Sequence, residues 1–325
     1  MTYFYRRFCE LFVLAAFVGL AGNLLAQSTN YVNFEGKQTS PIRLSPDGTR
    51  LFAVNTPDAR LSVFDVSNPS NPILIAEIPV GLEPVSVNPL NNDEAWVVNE
   101  VSDSVSIVSV SRHLVTDTLY VKDEPADVVF AAGKAFVTAA RKNQIAVFDQ
   151  VSHALITNLA VFGENPRALA VSPDGAKVYA AFALSGNRTT IIPAGLAPPP
   201  PPPTNPNLPP APQVGLIVDA ANPAWTNVLK YTLPDNDVVE INSATLAINR
   251  YFSRVGTINL GLAVHPASGD LYVANSEARN VTRFEPVLRG NFLTNRVTRL
   301  SAASGALTHF DLNPGFTLRA SLLAT

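Results

Sequence analysis

The chain has 325 residues, 47% of them hydrophobic and only 15% charged, with 23 basic against 26 acidic side chains and a net charge of −3. That balance excludes a basic nucleic-acid-binding face, while the apolar fraction is ample for a packed core. One cysteine, Cys9, is too few for a disulfide framework.

Taken in order, the chain opens on Arg6 and Arg7, then an apolar run Leu11–Leu20, then Leu24-Leu25-Ala26 before Gln27. This pattern predicts a secretory signal peptide over 1–26, cut after about Ala26, and places the mature protein in the periplasm or outside the cell. The apolar run falls short of the ~20 residues of a membrane span, so no stable span is expected after cleavage; a retained anchor is the rival reading. Cys9 leaves with the leader. The mature chain then offers no thiolate nucleophile, no iron–sulfur ligation and no Cys-x-x-Cys-His haem attachment, and no cofactor is expected.

Tyr31–Glu35 is a short strand candidate ahead of a repeat. Each repeat carries an aromatic residue inside an apolar run: Phe52, Trp96, Phe136, Tyr179 and Tyr272, spaced by 44, 40, 43 and 93 residues. The first three spacings suit four-stranded propeller blades, and the last requires an insertion of roughly 50 residues. Two of the runs follow a Ser-Pro-Asp-Gly turn, at 45–48 and 172–175. Proline presets φ, Asp closes a turn on its own backbone and Gly takes positive φ, so these are β-hairpins.

A third strand is predicted at Leu61–Val66, Val105–Val110, Ile145–Asp149 and Val281–Phe284, and a fourth at Leu74–Val80, Leu114–Val121, Leu155–Phe162 and Ala247–Val255. After residue 30 the apolar period is two, never 3.6, so the fold class is all-β. Repeats one to three run from about Pro41 to Val80, Leu82 to Lys122 and Asp123 to Phe162. Repeat four starts at Gly163 and is interrupted: its third strand begins at Thr189–Ile192, and Asp237–Asn242 resumes or replaces it. Repeat five begins near Asn259. The insertion, 193–234, holds Pro198–Pro203, which favours an extended surface excursion outside any sheet; a docking arm carrying Trp225 is the sharper alternative. An irregular tail, 311–325, closes the chain.

The Leu-Tyr-Val-Ala-Asn and Trp-Val-Val-Asn cores, the Ser-Pro-Asp-Gly hairpins and the Ile78-Pro79-Val80-Gly81 link resemble YVTN-type β-propeller repeats over roughly 38–192 and 235–300. The resemblance implies seven blades. Five are present, so an open arc, a partial copy of a longer protein, is expected, with an exposed edge through which copies could associate. It also implies two alternative activities, a lactonase-like hydrolase or the propeller part of a longer c-type haem protein.

No catalytic or metal site is expected from the residues. His113 and His153 fall in separate rim turns, His265 precedes a hairpin proline and His309 stands alone, whereas a metal centre needs converging donors. Asp127 and Arg167 lie near the hub in different repeats. The candidate binding surface is the face carrying the loops after the second strands, with Arg60, Asp103, Arg141, Arg188 and Arg279 as ligand contacts and Asn55, Asn99 and Asn275 as turn caps. The expected function is therefore a non-catalytic exported scaffold that recognises a protein or carbohydrate.

Overall fold

A computed structural model of the chain describes residues 38–203, 205–230, 235–281 and 292–314. The predicted leader, the Tyr31–Glu35 strand and all but the first residues of the C-terminal tail lie outside these. The described strands belong to one compact unit, Gly36–Thr325.

Blade one holds β1 (Ile42–Leu44), β2 (Arg50–Asn55), β3 (Arg60–Asp65) and β4 (Ile73–Pro79); blade two β5 (Pro84–Pro89), β6 (Glu94–Asn99), β7 (Ser104–Ser109) and β8 (Leu114–Tyr120). Blade three holds β9 (Pro125–Ala131), β10 (Lys134–Ala139), β11 (Gln144–Asp149) and β12 (Leu155–Ala160). Blade four begins with β13 (Glu164–Val171) and β14 (Lys177–Leu184), leaves the sheet for β15 (Thr189–Ile192) and β16 (Leu216–Asp219), and returns as β17 (Val238–Asn242) and β18 (Ile248–Phe252). Blade five holds β19 (Ile258–Val264), β20 (Leu271–Ala278), β21 (Leu293–Leu300) and β22 (Leu307–Asp311). All five are four-stranded antiparallel sheets arranged as the blades of a β-propeller.

The turns that start the blades follow from their side chains. In the first hairpin the Ser45 hydroxyl donates to Asp47 Oδ1 at 2.6 Å and Gly48, at φ +71°, closes the turn on the Ser45 carbonyl. Ser172, Asp174 and Gly175 repeat the arrangement in blade four. In blade five His265 replaces the serine, and its Nδ1 accepts from the amides of Ala267 and Ser268.

Burial explains the stacking. Phe52, Trp96, Phe136 and Tyr179 are 0–1% exposed, each at the centre of its blade's second strand. Each packs into the seam with the following blade: Phe52 with Val87, Val97 and Val108, Trp96 with Val128 and Phe148, Phe136 with Leu169 and Val239, Tyr179 with Leu271 and Leu300. Every strand alternates faces, so one face covers the preceding blade and the other is covered by the next.

Two expectations are corrected. Thr189–Ile192 does not open the third strand of blade four; β17 pairs directly with β14, and β15 pairs with β16 in a separate ribbon. That ribbon has its own small core, in which Trp225 packs with Val228 and Leu229 against Ile192, Ala197 and Val218. The third strand of blade five is β21, not Val281–Phe284, of which residues 282–284 lie outside the described residues. Both stretches alternate in sequence, and β21 matches β20 over eight consecutive pairs.

Candidate functional site

Along each blade the second strand ends, the third begins and the link to the next blade leaves on one face. Where blades four and five meet, this face carries a cleft of about 410 Å³. Asn187 and Arg188 enter it from the loop leaving β14, Asp219 from the end of β16 and Asp235 from the approach to β17. Arg254 comes from the inter-blade link, and Glu277, Arg296 and His309 come from β20, β21 and β22 of blade five. The insertion therefore forms one wall, which only a chain interrupted at this point can supply.

The floor is a fixed hydrogen-bond network. Glu277 Oε2 accepts from Arg296 Nη2 at 3.1 Å and Thr257 Oγ1 at 3.2 Å, while its Oε1 accepts from Asn187 Nδ2 at 3.3 Å. Arg296 is further held by Asn275 Oδ1 at 2.9 Å and the Val255 carbonyl at 2.8 Å. On the opposite wall Arg188 Nε approaches Asp235 Oδ2 at 3.1 Å, an ion pair without hydrogen-bond alignment. Asp235 Oδ1 accepts the Arg254 amide at 3.2 Å. The Arg254 guanidinium itself is exposed and has no partner among the described residues. Its positive φ of 64° is shared by the links at Glu83, Glu124 and Asn165, so it belongs to the blade design. Asn187 and Arg188 also take positive φ, which turns the chain out of the blade towards the insertion.

Two titratable groups are tuned here. Asp237, fully buried behind Asp235, is pushed up to about 6 by burial, with the like charge of Asp235 adding to it. The amides of Val255 and Gly256, which donate to its Oδ2, pull the other way. His309 is lowered by burial and by neighbouring Arg296, which favours its neutral form; its Nδ1 lies 3.0 Å from Thr298 Oγ1.

The hub has a different character. Asp127, at the start of β9 and fully buried, accepts from Ser86 Oγ of blade two at 2.6 Å, from the Val128 amide at 3.0 Å and from the Leu169 amide of blade four at 2.9 Å. One carboxylate thus ties three blades, and burial holds its pKa above the usual range despite those donors. Arg167 reaches Glu100 of blade two at 2.9 Å, with both side chains at most 10% exposed. These groups are saturated and structural.

The five residues singled out in the sequence stand on five different blades. Arg60 pairs with Asp58 at 2.8 Å, Asp103 accepts the Glu124 amide at 2.9 Å, and Arg141 pairs with Glu124 at 3.1 Å. Arg279 anchors its loop through its amide on the Phe292 carbonyl. Only Arg188 lines the cleft. Asn99 and Asn275 are buried cross-strand ties, Asn99 to Ser104 and Ser106, Asn275 to Thr298. Arg254, Glu277, Arg296 and His309 were missed because four separate strands and links bring them together. The one sequence signal was that the insertion interrupts the blade beside them. Among the described residues no group of three or more His, Cys, Asp or Glu side chains converges as a metal site.

No family model and no curated protein matches the chain. Among solved structures it is similar to the Kuenenia stuttgartiensis hydrazine synthase, with a TM-score of 0.63 and 18% identity over 88% of this chain and 69% of that one. At that identity the likeness is one of fold. Among the described residues no helix is long and apolar enough to cross a membrane.

Proposed function

We propose that the chain is an exported, non-catalytic β-propeller scaffold that binds a carbohydrate carrying acidic groups in the cleft between blades four and five. The leader-like residues 1–26 and the resemblance to YVTN-type repeats support export and a scaffold role. The observation that carries the ligand class is the lining: every residue facing the cleft is a hydrogen-bonding or charged side chain, and the exposed Arg254 side chain makes no hydrogen bond or ion pair among the described residues. A volume of this size suits one or two sugar rings. Arg254 offers the planar donor fork that a carboxylate takes in bidentate fashion, while Asn187, Glu277 and His309 supply partners for hydroxyl groups.

Retention of the mature protein on a panel of immobilised neutral and uronate-containing oligosaccharides tests this reading. Retention on the uronate members, weakened by added salt, is expected. Binding to none of them, or equal binding to neutral and acidic members, contradicts it.

A further inference from the structure

Four seams hold the five blades together, and all have the same polarity. The face bearing the second-strand aromatic is covered by the opposite face of the next blade. Applied to blades one and five, that rule leaves two unlike half-seams among the described residues. The register places Tyr272, Ala274, Val297 and Phe310 on the aromatic-bearing face of blade five. Tyr272 is the fifth member of the series Phe52, Trp96, Phe136 and Tyr179, yet it is not buried, and Phe310 is 48% exposed. The register likewise places Ile42, Leu44, Leu51 and Phe64 on the covering face of blade one. Ile42 and Leu44 there are 53% and 55% exposed. No apolar cluster among the described residues joins blade five to blade one.

We infer that these two faces form an interface between copies of this chain, with blade five of one copy seated under blade one of the next. The match is one of type: blade one presents the same kind of face that blades two to five already use to cover an aromatic. Such a contact is head-to-tail. It closes into a ring where the rotation permits and otherwise grows as a filament. Its seam repeats intramolecular ones, so main-chain edges need not pair, and the alternation of the strands supplies the complementarity.

Sedimentation velocity on the mature protein over a wide concentration range tests the inference. Mass rising with concentration is expected. Tyr272→Lys, on blade five, and Leu51→Lys, on blade one, should each abolish the rise. Mixing the two variants should restore association as far as dimers and no further, because each retains one live face. A wild-type protein that stays monomeric throughout overturns the proposal, as does a Leu51→Lys variant that still associates by itself. Thermal melting controls for folding, and Phe310→Lys, on the same face and more exposed, substitutes for Tyr272→Lys should that variant unfold.

Discussion

Among individual residues, the buried carboxylates divide by how fully they are answered. Asp127 accepts from donors on three blades, and these short hydrogen bonds offset part of the burial that still raises its pKa. Asp237 is answered by two link amides and faces a second carboxylate, and its pKa rises from the ordinary 3.8 to about 6. The folded state therefore binds this proton more tightly than the unfolded chain does. Stability gains from the group as pH falls through about 6 towards 3.8, and is lost again as pH rises. The difference is worth about 3 kcal/mol at neutral pH. Denaturant unfolding should show wild type gaining about half of that, relative to Asp237→Asn, between neutral pH and a pH of about 5, and the rest as pH falls on towards 3.8. Parallel curves for the two proteins would show that Asp237 carries no such penalty.

At the scale of elements, the links between blades depend on close approach. A Cβ on Gly163 would stand 2.6 Å from the Phe182 ring, which is fully buried, and one on Gly256 would stand 2.6 Å from Asn275. Gly163→Ala is expected to cost about 1–3 kcal/mol of stability, the usual penalty of overpacking a tight seam, read as a lowered midpoint in urea. An unchanged midpoint would mean that the link has room to shift. The hairpins were legible because Ser-Pro-Asp-Gly encodes its own geometry, and the seam aromatics because they recur in phase. The third strands of blades four and five were not. There the sequence offers two alternating stretches, and the choice between β15 and β17, or between residues 281–284 and β21, is made by pairing with a distant second strand. Local alternation carries no register information over such separations. The insertion's small core around Trp225 was hidden for the same reason: Ile192 and Val218 are far apart in sequence and meet only when the ribbon forms.

For the whole molecule, the stack of blades makes a rigid frame whose loop face is varied by one interruption. The sequence pointed to that face but spread the candidate contacts evenly over it, because each repeat carries a polar loop there. The proposed function places the contacts at one seam instead, where of those candidates Arg188 alone joins residues from the link and from blade five. The most direct test of that placement is a calorimetric titration of a uronate oligosaccharide into wild type and into Arg254→Ala, Arg60→Ala and Arg141→Ala. Affinity should fall about tenfold or more for Arg254→Ala, a loss of at least 1.4 kcal/mol, and stay close to wild type for the other two. Unchanged binding by Arg254→Ala, or an equal loss at Arg60 or Arg141 on the distant blades, would contradict it.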